Sequence, residues 1–170
     1  MRKLLALIDF QNDFITGSLG TKEAEAIVPK VIEKWQSYPE NARVATQDTH
    51  YADYLESQEG QNLPVVHCRR GTEGWELHPG IDEGCRDLYE KSSFGSVELA
   101  QFIQDQDIDE VELIGICTDI CVVSNALLIK AYDPEVKITV DASCCAGTTP
   151  EAHLSALETM KSCQINIINE

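Results

Sequence analysis

The sequence predicts an α/β fold: a three-layer sandwich with a mostly parallel central sheet flanked by helices. Short apolar runs of strand length alternate along the chain with stretches of helical periodicity. The length, 170 residues, suits one domain with its own hydrophobic core, expected over residues 1–170. Composition agrees, because 43% hydrophobic and 25% charged residues are ordinary globular usage and exclude a disordered or collagen-like chain.

The elements follow in order. Strands are expected near Leu4–Ile8, Arg43–Gln47, Pro64–His67, Asp87–Glu90, Val111–Gly115, Lys137–Val140 and Ile165–Ile168. The first helix is expected over Glu23–Ser37, where Ala26, Ile27, Val31, Ile32 and Trp35 recur near the 3.6 period and Tyr38-Pro39 supplies a stop. Further helices are expected at Val97–Gln104, Asp119–Tyr132 and Pro150–Lys161, the last with Thr149 as N-cap and Pro150 in the first turn. Asp105-Gln106-Asp107-Ile108-Asp109 reads as a solvated turn, since the Gly and distal Glu of a calcium loop are missing.

Charge and cysteines narrow the function. Thirteen Lys and Arg against 29 Asp and Glu give a net charge of −16, a field that repels phosphate backbones and anionic membranes, so nucleic acid is not an expected partner. No apolar run approaches the ~20 residues that span a bilayer, and Asp9 interrupts the first one before a signal h-region is complete. A cytoplasmic protein is expected. The odd set of seven cysteines favours reduced thiols over a disulfide framework, and it lacks the repeated C-x-x-C of a zinc finger.

In open parallel sheets, ligands collect outside the carboxyl ends of the strands. Asp9, Asp48, His67-Cys68, Lys91 and the turn Cys117–Cys121 each follow an expected strand, so they converge on one rim. Cys121 falls in the first turn of the expected helix, where unpaired N–H groups lower a thiol pKa; as a bare cysteine it reads equally as a small buried hydrophobe. Cys117 and Cys121 by spacing alone are two packed thiols or a reactive pair. Asp9 at the end of an apolar strand is placed for proton transfer, or for capping a turn. Lys91 near them would keep the acid ionised and favour a thiolate. Asp48-Thr49-His50 puts two donors on one side of an extended segment, with His67 as a third, a set suited to zinc, iron or manganese or to plain hydrogen bonding. Glu59 is a further candidate ligand. Phe14 and Trp75 are candidates for stacking on a flat ring, Tyr51 and Tyr54 for closing the same pocket, and His78 and His153 have no assigned role.

Five segments in this order, Ile8-Asp9-Phe10-Gln11-Asn12-Asp13-Phe14, Thr46-Gln47-Asp48-Thr49-His50, Leu63-Pro64-Val65-Val66-His67-Cys68, Lys91-Ser92-Ser93-Phe94 and Gly115-Ile116-Cys117-Thr118-Asp119-Ile120-Cys121-Val122, resemble the isochorismatase-like cysteine hydrolases, and within them the nicotinamidase/pyrazinamidase branch. The resemblance spans nearly the whole chain and implies a Rossmann-like three-layer fold. It implies Asp9, Lys91 and Cys121 as a catalytic triad with Cys121 as nucleophile. It also implies a cis Ile116–Cys117 peptide that aims the backbone N–H groups of Cys117 and Cys121 at an oxyanion. Substrate contacts would come from Gln11, Phe14 and Trp75, and a divalent metal, expected to be zinc, would sit on Asp48, His50 and His67. The implied activity is hydrolysis of a small, heteroaromatic amide such as nicotinamide to acid and ammonia through a thioester, by a homo-oligomer. The alternatives are a metal-free isochorismatase-type or ureide/carbamoyl hydrolase, and a non-catalytic binding or scaffold protein on this fold; the absence of G-x-G-x-x-G after the first strand speaks against a dinucleotide ligand.

Overall fold

The computed structural model describes residues 1–81 and 84–170. Six strands form one sheet: β1 (Lys3–Ile8), β2 (Arg43–Asp48), β3 (Asp87–Lys91), β4 (Glu110–Ile116), β5 (Lys137–Ala146) and β6 (Asn166–Ile168). Their order is β3-β2-β1-β4-β5-β6, and every pairing is parallel. The expected α/β sandwich is therefore present, with its sheet parallel throughout.

Alternation along β1 divides the core. Leu4, Ala6 and Ile8 face one side with Leu99, Ile103, Ile129 and Met160, while Leu5 and Leu7 face the other with Val31, Trp35 and Ile114. The second face is covered by α1 (Asn12–Ile15) and α2 (Lys22–Ser37), and the first by α4 (Val97–Asp105), α5 (Val123–Tyr132) and α6 (Pro150–Ser162). A short α3 (Gln58–Asn62) lies in the connection after β2. The caps are where side-chain chemistry predicts them: Thr21, Ser96 and Thr149 accept from the backbone N–H of Ala24, Leu99 and Ala152.

Two expectations are corrected. Pro64–His67 is not a strand of the sheet; among the described residues the nearest pairing is a single bridge between His50 and Arg69, two residues beyond it. The strand position beside β2 is taken by β3, whose Val44–Asp87 to Asp48–Lys91 register leaves no free edge there. The helix expected from Asp119 begins instead as a π-turn over Thr118–Val122 and becomes α-helical only at Val123.

The strand order reverses direction at β1, whose two neighbours are β2 and β4. Ligands of doubly wound sheets bind at this crossover, outside the carboxyl ends of the strands. Asp9 leaves β1 there, and the π-turn carrying Cys121 leaves β4.

Candidate active site

Parallel pairing sets the site. In register, Ile8 lies beside Gly115 and Asp48 beside Lys91, so the ends of four strands deliver their next residues to one place. Gly115 has φ +123°, and a Cβ there would run into the carbonyl oxygen of Ile8, so the close β1–β4 approach requires glycine. The next peptide, Ile116–Cys117, is cis.

Lys91 Nζ lies 2.6 Å from Asp9 Oδ2 and 3.6 Å from Cys121 Sγ, and it donates to the Ser93 carbonyl at 2.9 Å. Asp9, Lys91 and Cys121 are 0%, 7% and 5% exposed, so these groups interact through protein rather than water. Thr46 fixes the acid: its Oγ1 donates to Asp9 Oδ1 at 2.7 Å and accepts from the Asp9 backbone N–H at 3.1 Å. Only Oδ2 is left to face the lysine and the thiol.

Burial pushes the Asp9 carboxyl above its ordinary value, against the pull of Lys91. Burial likewise pushes the Cys121 thiol well up, reinforced by Asp9 and opposed by Lys91. For Lys91 desolvation acts downward but is outweighed by Asp9, Cys121 and Asp48, and the ammonium persists. The Lys91 ammonium thus faces two acids that burial makes reluctant to ionise, and it is placed to balance a negative charge on either of them. Burial and the neighbouring carboxylate act on this thiol against the downward pull expected at a helix N-terminus.

A second group adjoins the first. Asp48, His50, Glu59 and His67 offer ligand atoms that all lie within 4.8 Å of one another. His50 Nε2 and His67 Nε2 stand 3.0 and 3.4 Å from Asp48 Oδ2, and 3.6 and 3.7 Å from Glu59 Oε1. Tetrahedral ligands about 2.0–2.2 Å from an ion are about 3.3–3.6 Å apart, so the donors fit a divalent cation. His67 Nδ1 meets the Val65 carbonyl at 2.7 Å, which turns Nε2 toward the group as an outer-shell partner does for a metal-bound imidazole. Asp48 is held well below the usual carboxylate range: burial opposes this, but His50, His67 and Lys91 prevail. Glu59, the further candidate ligand of the sequence, comes from α3 and lies with the other three donors.

A cavity of about 460 Å³ connects the two groups, with Cys121 and Cys117 at one side and Asp48, Glu59 and His67 at the other. Phe14, Leu63, Phe94 and Ile120 supply apolar wall, and the Phe14 ring stands 5.6 Å from that of His67. Tyr54 packs 4.6 Å from His50 and donates its hydroxyl to the Leu63 carbonyl, while Tyr51 is exposed.

Gln11 and Trp75 are placed differently from the expectation. Gln11 is fully buried; its Nε2 donates to the carbonyls of Asp48 and Trp75, and its Oε1 accepts from the Asp48 N–H. Both of its N–H donors and its oxygen are engaged in fixing the Asp48 and Trp75 backbone, and it does not line the cavity. The Trp75 indole donates to Thr49 Oγ1 at 3.0 Å and lies outside the cavity wall, because a partly buried indole N–H takes the hydroxyl available to it. The His78 ring lies tilted against that of Phe10 at 5.9 Å, and His153 pairs with Thr118 Oγ1.

Sequence reasoning passed over Thr46 and Asn125. Asn125 is fully buried, donates to the carbonyls of Cys121 (2.8 Å) and Phe94 (3.1 Å), and accepts from the Ser96 N–H (2.9 Å). It ties the nucleophile turn to the segment after Lys91. An asparagine four residues beyond Cys121, in a helix otherwise apolar on its inner face, was the available signal.

Comparison with known proteins agrees with this geometry. The Isochorismatase domain model matches residues 3–169. The chain belongs to the isochorismatase family. It is 24% identical to the nicotinamidase/pyrazinamidase of Mycobacterium tuberculosis over 98% of both chains. Crystal structures of nicotinamidase/pyrazinamidase from Bacillus subtilis (TM-score 0.86, 28% identity, 99% and 100% of the two chains) and of Pyrococcus horikoshii pyrazinamidase in complex with zinc (TM-score 0.83, 26%, 100% of each) superpose along the whole length. Among the described residues no helix is long and apolar enough to cross a membrane.

Proposed function

We propose that this chain is a cysteine amidohydrolase that converts a small heteroaromatic carboxamide of the nicotinamide type to its acid and ammonia. The observation that carries this reading is the contact of Lys91 Nζ with both Asp9 Oδ2 and Cys121 Sγ at the edge of a cavity that also holds the four donor residues. The likeness to nicotinamidases and pyrazinamidases supports the same chemistry.

Asp9 takes the proton from Cys121 as the sulfur attacks the amide carbon, and Lys91 remains an ammonium that balances the charge moving between them. The backbone N–H groups of Cys117 and Cys121 receive the oxyanion, each such donor contributing ~2.7–4 kcal/mol of transition-state stabilisation. Asp9 returns its proton to the nitrogen, the C–N bond breaks, and ammonia leaves a thioester on Cys121. Water, deprotonated by Asp9, then attacks the thioester, and the C–S bond breaks to release the acid and restore the thiol. Asp48, His50, Glu59 and His67 would hold a divalent ion, zinc in this reading, which when bound supplies a coordination position for a ring nitrogen. Phe14 and His67 flank the ring, and the apolar wall excludes water from the acyl carbon.

The test is ammonia release from nicotinamide by the purified protein and by Cys121→Ala. Turnover by the wild type and its loss in the variant are expected; equal release from both would remove the nucleophile from the account.

A further inference from the structure

The catalytic cavity does not end at its apolar wall. Glu59, Leu63, Phe94 and Ile120 also line a larger open groove of about 860 Å³ on their other side. Phe94 and Leu63 remain 44% and 39% exposed, so they form a partial divider rather than a closed wall. Cavities of ~300–1,000 Å³ take drug-sized ligands, and a single-ring carboxamide leaves most of the two adjoining spaces vacant.

The two spaces differ in chemistry. The inner one is apolar beside the reactive groups, through Phe14, Leu19 and Ile120. The groove shares the apolar Leu63, Phe94 and Ile120 and adds the rings of Tyr51 and Tyr54, but it also carries hydrogen-bonding side chains such as Ser57 and Ser92 and the carboxylates of Asp53, Glu59 and Asp119. Among the described residues neither space is lined by a lysine or arginine. Away from the four donor residues, the carboxylates of Asp53 and Asp119, on a chain of net charge −16, disfavour an anionic group and accept a neutral or cationic one.

We propose that the groove is a second substrate subsite, and that this enzyme takes heteroaromatic carboxamides extended by a further apolar unit ending in a polar, uncharged or cationic group. The proposal rests on the amidohydrolase reading above and narrows its substrate class. The carboxamide lies at Cys121, the extension passes Phe94 and Leu63, and the polar end meets the hydroxyl, amide and carboxylate groups outside. Lys91 holds the Ser93 carbonyl and Asn125 the Phe94 carbonyl, so the backbone that carries the Phe94 ring is anchored between the two spaces.

The test compares kcat/KM for nicotinamide with that for three nicotinamides carrying an aryl group on the ring carbon meta to the carboxamide, the aryl ending in hydroxymethyl, aminomethyl or carboxylate. The hydroxymethyl compound is expected within roughly tenfold of nicotinamide and the aminomethyl compound at least equal to it. The carboxylate is expected at least about tenfold slower, with a gap that narrows as salt is added. Phe94→Ala should raise the arylated-to-nicotinamide ratio several-fold, and Asp53→Asn should shrink the aminomethyl-to-carboxylate ratio. Turnover of nicotinamide with none of the arylated compounds would overturn the subsite and leave the amidohydrolase reading standing, as would indifference to the terminal charge for the charge rule. Failure on all four substrates would overturn the amidohydrolase reading itself.

Discussion

At the scale of single residues, catalysis turns on the proton exchanged between Asp9 and Cys121 and on the ammonium of Lys91 that touches both. Asp9 and Cys121 are both pushed upward by burial, while Lys91 stays charged between them. A carboxylate raised above 3.8 and a thiol raised above 9.0 move upward the pH range in which the pair holds one proton. The kcat/KM profile should therefore fall as acidification protonates Asp9, and stay flat past pH 9; a decline already beginning near pH 8 would mean an ordinary, solvated thiol. Replacing Lys91 by Met leaves Asp9 as an uncompensated buried charge, which costs about 3–5 kcal/mol at neutral pH. Because protonation relieves that charge, the Lys91→Met penalty should shrink as pH falls through the raised Asp9 value and grow as pH rises. Thermal melts across pH 5–9 measure this, and a penalty independent of pH would contradict it. Turnover by the same variant should drop by about 10²–10⁴-fold.

Elements decide which of these residues meet. The polar residues after apolar strands placed Asp9, Asp48 and Lys91 legibly, since a parallel sheet exports the ends of its strands to one edge. His67 was legible as a donor, but its carrier was not. Pro64–His67 has the residue pattern of a strand, yet β3 already fills the pairing position and one bridge at Arg69 suffices to bring His67 beside His50. Glu59 arrives on a helix of five residues capped by Ser57, too short for periodicity to reveal. If these four donors hold a divalent ion, chelation should lower the melting temperature by roughly 5–10 °C, from about 2.7 kcal/mol of binding linkage at a hundredfold excess over Kd. Restoration by zinc is expected; a melt unchanged by chelator and by added metal would contradict the site. Asn125→Leu strips the carbonyls of Cys121 and Phe94 of their side-chain donors, at about 1–3 kcal/mol for each one left unsatisfied. Its kcat should fall at least tenfold with substrate present at saturation, because the nucleophile turn and the segment after Lys91 lose their link.

For the whole molecule, the expected sandwich and the observed sheet coincide because the alternation of apolar strands with amphipathic helices leaves few other architectures. What the pattern could not convey was the order of strands, and with it the crossover at β1 that brings Asp9 and Cys121 together from positions far apart in the chain. Nor could it convey that Gln11 and Trp75 serve the framework: the first has its polar atoms used in holding Asp48, the second donates to Thr49. The net charge of −16 acts on the whole surface. Added salt should raise the melting temperature at neutral pH by screening self-repulsion, and a fall would show that surface ion pairs dominate instead.

The central claim is that the sulfur of Cys121 carries the acyl group during turnover. Rapid acid quenching of the enzyme with nicotinamide, followed by mass spectrometry of its peptides, tests this directly. The account predicts a mass increase of one nicotinoyl group, confined to the peptide containing Cys121 and absent from Cys121→Ala. Turnover with no adduct there, or an adduct on Cys117 instead, would contradict it.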